Sequence, residues 1–426
     1  MKKLGLTLFI CFYLSEIFAQ NTSSPYSIIG LGDIEKSYFD RTSGLGHAGV
    51  ALSSDRFMFV SNPASFSFLE NPTFRNPFYF DLSVRYKNVG FSGNPITSTS
   101  ANQSNDLQFR RLSFAIKPKA RWGLSLGLLP FSNTNYSFIA LKKIQGGTFN
   151  VDAQYQGTGS ANLLYLSNSF LINKNLSIGI QSSVLFGQFN DKEIIYSSIT
   201  DSVLTTNRNI VISSPYFKGG ILYKTKINKD WNFSLGATGS LKTNVNAAYH
   251  LEVIDGNTTL KNVNERRDNY TSLPIMGTIG IAAVLKNKYT FVLDYSAQNW
   301  SSLKSGGTNY YLTNSERFSA GMQYTKNVIL RDNQGNTGIY EQSFLQAGFF
   351  YNKSYLNLYG QQLKEWGITL GAGTQLNRSG LGLQATVEIG GRGNTNNGFV
   401  KENITQIGLT ISYRDFWFTK KVKKYN

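Results

Sequence analysis

Phe78-Tyr79-Phe80-Asp81-Leu82-Ser83-Val84-Arg85-Tyr86-Lys87 decides how this chain is read. Phe78, Phe80, Leu82, Val84 and Tyr86 alternate with Tyr79, Asp81, Ser83, Arg85 and Lys87, so in a strand one face is apolar and the other carries the charge. Turning that strand over in a bilayer would put Arg85 and Lys87 in hydrocarbon, at about 2–4 kcal/mol each near the midplane. The charged face is therefore expected to point into a lumen and the apolar face into lipid.

The same alternation recurs along the chain. Trp122, Leu124, Leu126 and Leu128 are interleaved with Gly123, Ser125 and Gly127; Leu176, Ile178 and Ile180 with Ser177, Gly179 and Gln181. Trp231, Phe233 and Leu235 follow the pattern, as do Tyr289 to Tyr295, Phe318 to Tyr324, and Leu381 to Ile389. Between these segments short and long connections take turns. Short ones, rich in Asn, Lys, Asp, Pro and Gly, fall at 118–120, 173–175, 228–230, 287–288 and 377–380. Long ones fall near 91–107, 132–157, 190–209, 248–270, 301–314, 354–364 and 392–404. Outer-membrane barrels place short turns on the periplasmic side and long loops outside. The count gives an all-β fold: a transmembrane antiparallel β-barrel of about 14 strands over 77–418, with both termini periplasmic. Residues 327–341 break the rule, being long and polar where parity asks for a short turn.

Bulk composition agrees. A chain of 426 residues is long for one soluble domain and ordinary for one large barrel. Charged residues at 16%, aromatics at 14%, Gly 40 and Pro 9 suit many strands, tight turns and aromatic belts. After the N-terminus the best apolar run, 275–285, is too short for a membrane helix and contains Gly277, Thr278 and Gly280. Lys2 and Lys3, the apolar run 4–14 and Ala19 read as a signal peptide over 1–19, with Gln20 opening the mature chain. The only cysteine, Cys11, lies inside that signal, so no disulfide, thiol nucleophile or Cys metal site is expected. The net charge of +17 is spread along the chain, with one cluster in a basic tail over 419–426. Scattered cations suit a membrane with phosphorylated outer lipid better than nucleic acid, which is not expected as a partner.

Residues 20–76 do not alternate. They hold Gly30, Gly32, Gly44, Gly46 and Gly49, the apolar Leu45, Val50, Leu52, Phe57, Met58, Phe59 and Val60, and then Ser61-Asn62-Pro63-Ala64-Ser65. This is too apolar for a linker, and the lumen of a wide barrel is the place to bury it, so 20–76 is read as an N-terminal plug, or hatch. Gly44-Leu45-Gly46-His47-Ala48-Gly49-Val50-Ala51, Asp55 and Asn62-Pro63-Ala64 resemble the start of the FadL-type outer-membrane transporters of long-chain fatty acids and other hydrophobic compounds. The stretch 122–131 ending Leu129-Pro130-Phe131, Val292-Leu293-Asp294 followed by Trp300-Ser301, and 317–324 look similar to later parts of that family, in order along the chain. Residues 22–40 do not match the family's start.

The resemblance implies a channel for hydrophobic or amphipathic small molecules, moving passively past the plug, with Asn62, Pro63 and Ala64 anchoring the plug beside the ligand path. Some barrels of this type instead serve a protein secretion system as accessory or cargo-binding partners, and that alternative stays open. Of the lumenal charges Asp81, Arg85, Lys87, Arg111, Lys117, Lys218, Lys224, Asp294 and Glu388, the plainer reading is a lattice of ion pairs; the sharper one is that Arg85 or Lys218 holds the carboxylate of an amphipathic ligand. His47 and His250 form no Ser-His-Asp order or metal-ligand spacing, so no enzyme, metal or cofactor is expected. The run 44–49 lacks the strand-turn-helix context and the Lys of a phosphate cradle; close packing is the better reason for its glycines. Trp122, Trp231, Tyr289, Trp366 and Trp417 read as a periplasmic belt. The last strand, 406–418, with Ile407, Leu409, Ile411 and Tyr413 on one face and Phe416-Trp417-Phe418 at its end, is expected to engage the barrel assembly machinery. The expected partners are thus a hydrophobic small molecule, outer-membrane lipid and that machinery.

Overall fold

The structure is a computed structural model and describes residues 24–71, 75–93, 103–143, 150–197, 202–303, 310–331, 337–376, 380–395 and 400–419. The signal segment, most of the 377–380 turn and the basic tail lie outside the described residues.

Fourteen antiparallel staves close on themselves. They are β1 (Arg75–Ser92), β2 (Gln103–Lys119), β3 (Trp122–Lys143), β4 (Asn150–Leu171), β5 (Leu176–Ser197) and β6 (Ser202–Lys226). Two staves follow in two segments each: β7 (Trp231–Ser240 then Thr243–Asp255) and β8 (Thr258–Leu273 then Met276–Leu285). β9 (Tyr289–Gln298), β10 (Ser315–Arg331), β11 (Thr337–Leu358), β12 (Gln361–Gln375), β13 (Leu381–Arg392) and β14 (Lys401–Thr419) complete the ring. Pairing of β14 with β1, from Lys401↔Ser92 to Thr419↔Arg75, seals the seam. Closure leaves no edge in the bilayer, the condition for a sheet to span one.

The side chains face as the alternation requires. Tyr79, Asp81, Ser83, Arg85 and Lys87 are buried inside. Outward-facing Leu126, Ile180, Leu235, Ile281, Leu293 and Leu409, from staves all round the ring, are each about half exposed. A continuous exposed apolar band of this kind is a lipid-facing surface. At the short-turn end Trp122 stacks on Phe170 (6.2 Å), Trp231 on Phe233 (5.7 Å), and Tyr289 meets Tyr324 (5.5 Å). Trp366 does not belong to that belt. It pairs with Tyr351 and Gly391 near the start of β12, at the long-loop end, because β12 runs down from that end.

Turn chemistry accounts for the short connections. Asn173 accepts from the backbone N–H of Asn175 and Leu176 (2.8 Å each), and Asn228 does the same for Asp230 and Trp231. Lys286 and Asn287 both take positive φ, as a tight hairpin needs. The irregular 327–341 stretch is a hairpin: β10 and β11 run on past a bulge at Lys326/Asn327 to the pair Arg331↔Thr337.

The long connections are a correction to the sequence reading. Much of 132–157, 190–209 and 248–270 is strand, not loop: β3 to β8 rise as paired hairpins well beyond the lipid-facing band. Outside the bilayer the outward face of a strand is wet, so the lipid-facing apolar pattern stops while the amide ladder continues and inward residues such as Tyr136, Ala153 and Tyr249 stay buried. β9, with ten residues, stops near the rim, and the barrel is tall on one side only.

Residues 24–71 lie in the lumen. Their turns are short 3-10 helices at Pro25–Ile28, Arg41–Leu45 and Pro63–Phe68, capped by Ser24, Asp40 and Asn62, whose side chains accept from Tyr26, Thr42 and Ala64 N–H. Leu45, Ala48, Val60 and Phe66 are fully buried among inward-facing wall residues. Glycines make the contact close. A Cβ on Gly348 of the wall would lie 2.1 Å from Gly46 N, and Gly46 itself has φ +65°. The end of β14 lies at the short-turn end; Ser24, bonded to Asn135 and Glu402, lies in the long-loop half.

Candidate functional site

The lumenal segment is held to the wall by buried charge, and one irregularity sets the pattern. Between Ser83/Val84 and Arg111/Phe109 the β1–β2 register shifts, leaving Arg110 as an extra residue. Without a bulge, two consecutive arginines would face opposite ways and one would enter lipid. With it, both point inward: Arg110 is 6% and Arg111 0% exposed. Arg111 lies between Asp81 (2.5 Å) and the capping Asp40 (3.8 Å). Arg110 pairs with Glu35, which also takes Arg85 at 3.1 Å. Glu35 and Arg110 were not singled out from the sequence. The adjacent Arg110-Arg111 was the available signal, since a regular lipid-facing strand cannot hold both.

Further round, Arg392 meets Asp33 (2.8 Å), Glu365 (3.6 Å) and Glu402 (3.6 Å), and Lys36 pairs with Glu365. Arg41 bonds Glu341 (2.7 Å), and His47 Nε2 lies 2.7 Å from Glu388. His250 sits on the outer part of β7, far along the chain fold from His47. Among the described residues no cluster of three His, Cys, Asp or Glu could hold a metal ion.

The wall is incomplete between β2 and β3. They pair only over Leu112–Leu128 to Ile116–Leu124 and at Lys119–Trp122. Beyond Leu128, β3 carries Pro130 and a bulge before Ser132, and among the staves it pairs with β4 and no longer with β2. Pro130 has no N–H to offer a neighbour, which suits a free edge. The lumenal segment covers that edge. Asp33 and Ile34 pair with Asn133 and Ser132; Glu35 N–H donates to Phe131 O (2.8 Å) and Ser24 N–H to Asn135 O (3.0 Å). Residues 33–35 thus form a strap that is backbone-bonded to β3 and charge-bonded through Glu35 to β1 and β2.

Two cavities meet at the strap. The outer one, about 610 Å3, opens toward the loops; Leu31, Phe189, Ile210, Tyr270 and Trp300 line it together with the charged Asp191 and Arg208. The inner one, about 180 Å3, is amphipathic: Phe131 and Leu163 face Lys218, Arg317 and Asp294. Ile34 and Tyr355 line both and divide them.

The predicted site residues fall into three places. Arg85 is engaged by Glu35 and lines a small charged cavity. Lys218 lines the inner cavity instead, donating to Tyr38 Oη (2.7 Å) and Ser61 O (2.6 Å), so the two cations are not brought together. Asn62, Pro63 and Ala64 line neither cavity. Asn62 donates to Val50 O (2.8 Å) and Ile221 O (3.0 Å), and the turn rests on Gly220 and Gly179 of the wall. Arg317 was missed: it has no carboxylate partner at ion-pair distance among the described residues, donates to Ser319 and Gly46 O, and leaves Nη1 unpartnered.

Strap charge sets an acid limit. Burial pushes the Glu35 carboxyl up, but Arg110, Arg85 and Lys87 outweigh it and hold it at about 2. Asp33 is lowered too, burial being overcome by Arg392, Lys36 and Lys87. A folded-state value below the unfolded one gives stability that is full above the ordinary carboxylate range and lost as pH falls through the folded value. Hydrogen exchange at the Glu35 amide, corrected for intrinsic rate, should show the same protection from about pH 8 down to about pH 5 and lose it near pH 3 or below. Loss of protection already at about pH 6 would show that these ion pairs do not hold the strap.

These features define the class: a closed transmembrane β-barrel of fourteen staves, of outer-membrane type, with its N-terminal segment folded inside. A family model described as BamG matches residues 1–426. The chain belongs to the BamG family. No curated protein matches it. Among solved structures it is similar to the Pseudomonas putida toluene transporter TodX (14% identity, TM-score 0.60, 90% of this chain and 99% of that one). It is also similar to a Pseudomonas aeruginosa FadL homologue (14%, 0.59, 88% and 97%) and to CymD, a monoaromatic hydrocarbon channel (12%, 0.58, 91% and 98%). At such identities the likeness establishes the FadL-type fold.

Proposed function

We propose that this barrel passes hydrophobic or amphipathic small molecules, such as fatty acids or monoaromatic compounds, across the outer membrane. The ligand settles in the outer cavity, where burying its apolar surface on Trp300, Tyr270 and Phe189 stabilises it. It then moves downhill past Ile34 and Tyr355, with residues 24–71 acting as the plug. Lys218 and Arg317 suit a carboxylate head group in the inner cavity, and Asn62-Pro63-Ala64 anchors the plug. The observation that carries the reading is the β2–β3 gap closed by a strap of two paired residues, since such a closure can open without breaking the barrel. The names of the structurally similar channels lie in the same chemical class.

The test is a reversible lock. Ile34 and Ser132 are direct antiparallel partners, close enough for a disulfide, and the chain has no cysteine beyond Cys11. Proteoliposomes holding the Ile34→Cys/Ser132→Cys variant should take up radiolabelled oleate or toluene at the parent rate when reduced, and at least ~10-fold more slowly when oxidised. Equal uptake in both states would remove the strap from the route.

A second reading has its own observation. The tall outer wall of β3–β8 is an ordered surface standing clear of the lipid-facing band, as an accessory subunit of a larger outer-membrane protein assembly would present. The family name suggests the barrel assembly machinery as that assembly. Trimming the hairpin tip 252–262, which lies beyond the cavity lining, should then abolish co-purification of that machinery's core from native membranes, without changing oleate uptake.

A further inference from the structure

Charge at the short-turn end is arranged differently from the rest of the molecule. Lys119 and Arg121, Lys174, Lys229, and Lys286 and Lys288 occupy four turns, those after β2, β4, β6 and β8, and all six are exposed. Among the described residues none of them is in an ion pair, and Asp230 is the one acid on those four turns. At the long-loop end acids stand among the cations: Lys142 pairs with Glu193, Arg266 with Asp268, Arg267 with Glu265 and Lys353 with Glu316, while Lys192, Lys261, Lys364 and Lys401 form no ion pair among the described residues.

The turns are also fixed to one another. Leu171 N–H donates to Arg121 O (2.8 Å), Lys224 N–H to Asn175 O (2.7 Å), Lys286 N–H to Asp230 O (2.7 Å) and Thr325 N–H to Lys288 O (2.7 Å). The cations therefore stand on one continuous arc of the rim, with successive hairpins about 10 Å apart. Their height is set by the belt. Trp122 directly follows Arg121, Trp231 follows Asp230, and Tyr289 follows Lys288. Belt aromatics mark the headgroup layer, and Lys and Arg stems one to three residues beyond reach phosphates there.

We infer that this rim gathers an annulus of anionic phospholipid, its fixed cations meeting the phosphodiester headgroups of the leaflet at the short-turn end. The cations are spread along an arc of four successive turns, next to the belt aromatics Trp122, Trp231 and Tyr289, and are not clustered on one turn. That distribution matches a ring of lipid better than a protein docked beneath the barrel. The inference is independent of what passes through the lumen.

The belt tryptophans report on it. The full-length mature barrel is placed in phosphatidylcholine vesicles containing a fixed small fraction of brominated phosphatidylglycerol or, separately, brominated phosphatidylcholine. Quenching of tryptophan fluorescence should indicate about five-fold enrichment of the anionic lipid over bulk at low salt, falling towards one at molar salt. Replacing the six cations with Gln (Lys119→Gln, Arg121→Gln, Lys174→Gln, Lys229→Gln, Lys286→Gln, Lys288→Gln) should abolish the preference. Lys→Arg replacement at the five lysines should keep it, as should neutralising Lys142, Lys192 and Lys364 at the other end. Equal quenching by the two lipids in the parent at low salt overturns the inference, and so does a preference that survives the six replacements. Should the Gln variant fail to insert, the parent decides: a preference indifferent to salt overturns it.

Discussion

Removal of residues 24–70 should leave a barrel that still inserts and that conducts small ions as an open pore. Insertion depends on closure of β14 on β1 and on the lipid-facing band, and neither uses the lumenal segment. The deletion uncovers apolar wall such as Phe131, Leu163 and Leu222 together with charge: Arg85, Arg110, Arg111 and Lys218 lose Glu35, Asp40, Tyr38 and Ser61 and gain water. Charges released into a wet lumen are solvated, so the cost of unpairing a buried ion largely disappears. The wall alone encloses a bore lined in part by charge, and barrels little larger leave aqueous channels. Planar-bilayer conductance should rise from near zero to that of an open pore, with a matching loss of antibiotic exclusion in cells. Asn62→Ala is a milder probe. It removes two hydrogen bonds to backbone carbonyls, about 1 kcal/mol each, and should slow uptake without opening the pore. A truncated barrel that inserts yet stays as closed as the parent would refute the plug and point to a docking role for the segment.

Deletion of residues 416–426 should abolish insertion, whereas deletion of 420–426 should be mild. Phe416 pairs with Pro77, Trp417 with Asn76 and Thr419 with Arg75, so the larger deletion opens the seam at the short-turn end. Unpaired N–H and C=O groups facing lipid cost several kcal/mol each, which a barrel cannot absorb. Heat-modifiable mobility and surface protease sensitivity should both vanish for the larger deletion and persist for the smaller. Normal surface levels after losing 416–426 would remove this strand end from the assembly signal.

How much of this was legible beforehand depends on what each feature answers to. The stave count, the inward side of Asp81, Arg85, Lys87 and Lys218, and the tight turns at Asn173 and Asn228 were all readable from the chain. Each is decided by a residue's own surroundings, lipid or water, or by a turn of a few residues, and the price of a charge in hydrocarbon makes that choice one-sided. The outer hairpins were read as loops because their alternation ends where lipid ends, although pairing such as Asn207↔Glu252 continues. Trp366 was placed at the wrong rim because an aromatic at a strand end does not say which end.

Other features exist only once the barrel has closed. Asp33 and Arg392 are far apart in sequence, as are Glu35 and Arg110, and neither member of a pair carries a mark of the other. The strap fills a break in pairing between two neighbouring staves, and the Arg110 bulge that supplies its partner is a register shift. The sequence by itself determined that this chain spans a membrane as a barrel with a charged interior, because desolvation acts on each side chain separately. Only the tertiary structure decided which charges meet, where the wall is open and what closes it, because those follow from register and long-range contact, where many pairings have similar local cost and closure of the whole sheet selects one.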